Sequence, residues 1–219
     1  MNNTAAPDVL LFIASQCPHC PGVLTGLSDL LKRGVIGRME VINLECRPDA
    51  AQALAVRSVP WLRMGPFQLA GARSAAELET WAQRATSSDG LGDAFHDLLK
   101  QADLTQVLRL IEAEPARLAA LLPIVANPEA SLNVRLGVGV VFEEFAGQPA
   151  FQALVAELGK LTQHADARVR ADACHLLSLT GSKAARVWLQ AGLHDENAEV
   201  REIAAESLDS LDGSSEGGL

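Results

Sequence analysis

Val9-Leu10-Leu11-Phe12-Ile13-Ala14 is an unbroken apolar run between Asp8 and Ser15, the pattern of a short buried strand. After it, Val23, Leu24, Leu27, Leu30 and Leu31 recur at helical spacing. They predict a helix from Pro18 to about Arg33, with Gly34 suited to its C-terminal end. Met39–Leu44 reads as a second strand and Asp49–Val56 as a short Ala-rich helix. Trp61–Met64 and Phe67–Ala70 flank the Gly65-Pro66 turn and predict a hairpin. Ser74-Ala75-Ala76-Glu77 is a capping box that opens a helix through about Ala85. The order is strand, helix, strand, helix, strand, strand, helix. A right-handed crossover makes the first two strands parallel neighbours.

Thr86-Ser87-Ser88-Asp89-Gly90 is a polar break, and beyond it strand patterns vanish. The expected helices are Leu91–Ala102, Leu104–Ala113, Pro115–Ala126, Leu132–Ala146, Pro149–Thr162, Ala167–Thr180, Ser182–Leu193 and Ala198–Leu211. Three of them share a signature. Ser131-x-x-Val134-Arg135 runs to Gly147, Asp166-x-x-Val169-Arg170 to Gly181, and Asn197-x-x-Val200-Arg201 to Gly213, with starts 35 and 31 residues apart. Capping explains the Ser, Asp, Asn and Gly positions but not the recurring Val-Arg, so this is an internal repeat. The layout is a domain at 1–86, a linker at 87–92, a helical repeat domain at 93–212 and a disordered Gly/Ser-rich tail at 213–219.

Composition sharpens this picture in two places. Hydrophobic residues make up 48% and charged residues 21%, which marks a globular chain, and the abundance of Ala and Leu suits a helical core. The net charge of −9 is uneven: residues 1–87 sum to +1 and residues 88–219 to −10. An acidic surface repels phosphates and anionic lipid, so neither nucleic acid nor a membrane is an expected partner. No stretch approaches the roughly 20 apolar residues of a membrane span. Val9–Ala14 is too short for a signal peptide and lacks Lys or Arg before it. With Met1 as the start, the expected location is cytoplasmic. Thiols are kept reduced there, so a C-x-x-C is catalytic or metal-binding rather than structural.

Cys17-Pro18-His19-Cys20 follows directly on the first apolar run and precedes the first helical pattern. A helix N-terminus carries partial positive charge and free N–H groups, which favour a thiolate. Cys17, nearest the free end, is the candidate nucleophile, and Cys20, one turn on, the candidate resolving thiol. Pro18 costs little in a first helical turn, and a protonated His19 favours the thiolate further. The alternatives are an inert pair or half of a zinc site. No second C-x-x-C exists, and neither a metal nor another cofactor is expected. Cys46 is a candidate accessory thiol, and Cys174, beside Leu176 and Leu177, a small core residue.

Residues 7–86 resemble the thioredoxin/glutaredoxin fold, on the strength of Cys17–Cys20 and of Ser58-Val59-Pro60, which stands 40 residues beyond Cys20 and just before a strand. The resemblance implies that Val59-Pro60 is cis and that Pro60 packs against the active disulfide. Pro21 extends the motif to C-x-x-C-P, similar to archaeal glutaredoxin-like oxidoreductases and to the N-terminal domain of alkyl hydroperoxide reductase flavoproteins. Gln16 stands where thioredoxins have Trp, and the strand lacks their buried acid, so water or His19 would take the proton from Cys20. The Pro-His dipeptide also occurs in strongly oxidising thiol oxidases and implies a potential more oxidising than that of thioredoxin.

The second half resembles HEAT repeats of the short bacterial kind. That resemblance implies a right-handed solenoid, with Arg135, Arg170 and Arg201 forming a ladder to acids of neighbouring repeats. The expected architecture is thus an α/β thioredoxin-like domain followed by an all-α HEAT-like solenoid. The expected function is a thiol–disulfide oxidoreductase acting on a protein with disulfides or thiols. That partner is docked by the repeats, and a donor or acceptor protein or glutathione completes the cycle. The alternative is a non-enzymatic, redox-sensing interaction adaptor. For the repeats themselves, the alternative to docking is a role confined to stabilising or dimerising the chain.

Overall fold

In a computed structural model, which describes residues 6–87 and 90–216, four strands form one mixed sheet in the order β2-β1-β3-β4. They are β1 (Asp8–Ile13), β2 (Arg38–Asn43), β3 (Trp61–Met64) and β4 (Phe67–Ala70). β1 and β2 are parallel, in a register that pairs Val9 with Met39 and Ile13 with Asn43. β3 runs antiparallel to β1, with Phe12 opposite Trp61, and forms the hairpin with β4. Chain contacts divide the molecule into two compact units, Met1–Ala94 and Phe95–Leu219.

In the first unit, the period-two geometry of β1 sends Val9 and Leu11 to one face and Leu10 and Phe12 to the other. Helices α1 (Cys20–Lys32) and α3 (Ala75–Thr86) pack on each other and on the sheet, burying Val23, Leu27, Leu30, Leu78 and Trp81. On the opposite face Phe12 and Trp61 meet edge to face at 5.7 Å, joined by Ala51 of α2 (Pro48–Ala53). The capping box at Ser74 forms in full, with Glu77 N–H donating to Ser74 Oγ and Ser74 N–H donating to Glu77 Oε2.

The second unit is helical. It runs from the later part of α4 (Gly90–Lys100) through α5 (Leu104–Ala113), a 3-10 stretch (Pro115–Leu121), α6 (Leu122–Val125) and α7 (Leu132–Glu144). Then come α8 (Pro149–Gln152), α9 (Val155–Leu161), α10 (Ala167–Leu179), a 3-10 turn (Lys183–Ala185), α11 (Arg186–Gly192) and α12 (Ala198–Glu216). α10 packs against α7, α9, α11 and α12. The repeated Val is the anchor each time: Val134, Val169 and Val200 are all buried. Gly147 and Gly181 take positive φ (69° and 63°) where α7 and α10 turn out, a backbone region costly for residues with a Cβ.

Element boundaries depart from the sequence pattern in several places. α1 begins at Cys20, not Pro18. Pro21 lacks an N–H and fits without loss only in a first turn, so it sets the helix start later than the hydrophobic spacing alone suggests. β1 and β2 each begin and end one residue earlier than expected, and α2 stops at Ala53 because Ala55 turns to φ 52°. The single helices expected at 115–126, 149–162 and 182–193 are each split. Pro123 cannot donate to Ala119, whose carbonyl instead accepts from Leu122 in a 3-10 turn. The break after α8 turns Phe151 onto Phe142, with ring centres 4.7 Å apart. Gly90, expected in the linker, opens α4 one residue ahead of the helix expected from Leu91. Residues 88–89 of that linker lie outside the described residues. α12 continues through Glu216, so the tail expected from Gly213 is helical over its first residues, and 217–219 lie outside the described ones. One helical glycine costs only about 1 kcal/mol, too little to end a helix already packed on α10 and α11.

Candidate functional site

Cys17 and Cys20 are joined in a disulfide, with their Cα atoms 5.5 Å apart. β1 delivers the chain to this point, and the Cys17 N–H donates to Ala14 O as the chain turns. Pro18 and His19 form the exposed turn between the two sulfurs. His19 is the N-cap of α1 but makes no side-chain cap, and the Cys20 N–H instead donates to Cys17 Sγ at 3.1 Å. A donor aimed at a sulfur from a helix N-terminus stabilises that sulfur more strongly when it is an anion. The two cysteines differ in access: Cys17 is half-buried, while Cys20 is only 4% exposed. Only Cys17 is therefore open to a large reaction partner.

Pro60 is buried, the Val59-Pro60 bond is cis, and the Pro60 carbonyl accepts from Gly71 N–H at 2.8 Å. It immediately precedes Trp61, whose partner across the sheet is Phe12. Pro60 thus stands at the sheet end from which β1 leads towards Cys17. Phe12, Trp61 and the partly buried Leu54, Val56 and Val59 form one apolar cluster at this end.

A polar clasp that the sequence pattern does not reveal stands beside the pair. Ser15 Oγ donates to Glu45 Oε2 at 2.5 Å, and Asn43 Nδ2 donates to Ser15 Oγ at 3.1 Å. The Glu45 N–H in turn donates to Asn43 Oδ1 at 2.9 Å. The clasp joins the loop before Cys17 to the loop after β2 and ties a carboxylate to a residue two positions from the cysteine. Its only trace in the sequence is the parallel pairing of the first two strands, which sets their following loops side by side. Cys46 lies exposed in that second loop.

Cys174 is fully buried in α10, and burial pushes its thiol up to about 11. Such a group is a neutral core side chain at physiological pH. Among the described residues no group of three or more His, Cys, Asp or Glu side chains is gathered to hold a metal ion. No helix among them is long and apolar enough to cross a membrane.

The three repeated arginines are all engaged. Arg170, 8% exposed at its side chain, grips Asp195 with two bonds of 2.8 Å and donates to the carbonyls of His164 and Ala165. Arg201 repeats the second half of this arrangement, donating to the carbonyls of Asp195 and Glu196. Arg135 instead grips Asp172, at 2.7–3.0 Å. The reason lies in register. The position that Asp195 fills in the last repeat is filled by His164 in the one before, so Arg135 finds its carboxylate one turn into α10. His164 and Asp195 each accept from the N–H of the following N-cap residue, Asp166 or Asn197.

Residues 118–209 match the family model of HEAT repeats. The match spans all three Val-Arg signatures, and the expected helical-repeat region holds over that stretch. A search of curated proteins returns no match to the chain.

Proposed function

We propose that this chain is a thiol–disulfide oxidoreductase that works through the Cys17/Cys20 pair on a protein partner docked by its helical repeats. The observation that carries the reading is the asymmetric pair itself, an accessible Cys17 and a buried Cys20 at a helix N-terminus whose N–H points at the outer sulfur. The mixed sheet, with the pair just beyond the end of its first strand and Pro60 at the same end, supports a thioredoxin-like origin.

In the reducing direction, the Cys17 thiolate attacks one sulfur of a partner disulfide. A mixed disulfide forms and one partner thiolate leaves. Deprotonated Cys20 then attacks Cys17 Sγ, expels the second partner thiolate and closes the Cys17–Cys20 bond. Two electrons pass to the partner, whose thiolates take up two protons. A donor protein or glutathione restores the dithiol, and the opposite direction runs through the same steps reversed. His19 lies exposed in the turn, two residues after Cys17. Glu45, bonded to Ser15 two residues before Cys17, offers an acid in place of the buried strand acid this chain lacks. A cytoplasmic location suits a pair cycling against a reducing pool.

Cys17→Ser is expected to abolish turnover of a dithiol-linked reporter, and activity equal to wild type would overturn the assignment. Cys20→Ser is expected to accumulate a mixed disulfide on Cys17, identified by mass spectrometry after capture. A second reading, a redox-sensing adaptor without turnover, is favoured by one observation: the family match falls wholly on the repeats. A redox titration separates the two, because a sensor changes partner affinity on oxidation without catalysing exchange.

A further inference from the structure

α7 carries an apolar stripe that nothing in the described chain covers. Leu132, Leu136 and Val140 stand at i, i+4 and i+8, one above another on a helix, and are 65%, 60% and 44% exposed. They are not strays from a weak helix, because Val134, Val138, Val141 and Phe142 on the other side of α7 fill the core. The stripe forms one wall of a cleft of about 470 Å³ between α7 and α10, floored by Val138 and Leu176. Asp172 and His175 line this cleft and also the neighbouring one between α10 and α12, so the two form a continuous surface.

Charge along this surface is one-sided. Glu143 borders the apolar cleft, Asp172 stands between the two, and Glu206 borders the second. The single cation in the two linings, Arg135, is already held by Asp172. The surrounding half of the chain sums to −10. A second copy of this chain laid symmetrically on the same face would bring the same acidic surface to both sides of the contact, which is unfavourable.

We propose that this groove receives an amphipathic helical segment of a partner protein, with apolar residues at i, i+4 and i+7 and Lys or Arg on its flanks. The apolar residues cover Leu132, Leu136 and Val140, and the flanking cations meet Glu143 and Glu206. This rests on the reading that the repeats dock the substrate protein, and it specifies the chemistry of what they hold.

The test is fluorescence anisotropy of the full chain with a labelled Lys-flanked peptide of about 15 residues, long enough for a helix to be accessible. One control scrambles the apolar positions at constant charge, and a second replaces every Lys by Glu. The patterned peptide is expected to bind at least about tenfold more tightly than either control, a difference of about 1.4 kcal/mol. Leu136→Asp is expected to remove at least about tenfold in affinity, and Glu143→Gln with Glu206→Gln to flatten the salt dependence. Leu132→Glu is a second variant of the stripe, since a carboxylate is favoured in a first helical turn. Circular dichroism verifies that each variant is folded. Equal binding of patterned and scrambled peptides overturns the proposal, as does unchanged affinity in both stripe variants. A concentration-dependent dimer that Leu136→Asp dissolves also overturns it, in favour of a second copy. Binding is read without thiol chemistry. A chain that binds the peptide but turns over no disulfide sinks the oxidoreductase reading alone, and the converse sinks the groove alone.

Discussion

Three sulfur environments in one chain show how residue-level chemistry is set by surroundings. Cys46 is exposed, Cys17 half-buried and Cys174 sealed in the core. In the reduced protein, an alkylating reagent is expected to modify Cys46 and Cys17 within minutes and to leave Cys174 untouched until denaturant is added, as read by peptide mass mapping. Labelling of Cys174 at the rate of Cys46 would contradict its burial. Asp195 offers a pH test. The hydrogen bonds from Arg170 hold its carboxyl below the ordinary carboxylate value. A depressed folded pKa contributes stability that is fully present above the unfolded value and is lost as pH falls through that value towards the folded one. Asp195→Asn is expected to cost about 3 kcal/mol at neutral pH, because it breaks the two-bond pair and leaves the buried Arg170 with Glu196, exposed and 3.4 Å away, as its remaining carboxylate. In chemical denaturation the gap to wild type narrows as pH drops below about 4. At this scale the sequence was readable where partners are near in the chain. Cys17 and Cys20 are three residues apart, whereas Ser15 and Glu45 meet across 30.

At the scale of elements, close approach between helices decides what local propensity leaves open. A Cβ placed on Gly159 of α9 would lie 2.2 Å from Cε2 of Trp188 in α11. Gly159→Ala improves helix propensity by about 1 kcal/mol, yet it forces the indole aside, and overpacking of this kind costs about 1–3 kcal/mol. The variant is expected to lower the melting temperature. In a Trp188→Ala background the same change is expected to be neutral or stabilising, and additivity of the two would show that the contact carries no weight. Hydrophobic spacing located nearly every helix here, because each must bury a stripe. It did not locate the breaks. Pro123 carried a visible signal, while the break at Ala153 and Leu154, next to the contact of Phe151 with Phe142, carried none. Pro21 likewise marked the start of α1 more faithfully than the apolar pattern did.

Across the whole molecule the charge is segregated, with the thiol pair in the near-neutral part and the acidic excess in the repeats. Such a field accelerates encounter with basic partners and is screened by salt. Exchange with a basic disulfide-bearing protein is expected to slow by roughly tenfold or more between low and high ionic strength. Exchange with a small uncharged disulfide stays level, and parallel salt dependence of the two would remove any steering role for the repeats. The chain's sequence by itself determined its strand and helix order, its repeat, its charge segregation and its vicinal thiol pair. All of these depend on residues within a few turns of one another or on simple counting. Only the tertiary structure decided how completely Cys20 is buried, that Glu45 reaches Ser15, and that Arg135 takes Asp172 while Arg170 takes Asp195. It also decided that the face of α7 bearing Leu132, Leu136 and Val140 is left uncovered. The physical reason is common to all four. Burial and pairing depend on the register between segments far apart in the chain, and α7, apolar on more than one side, does not announce which side its neighbours will take.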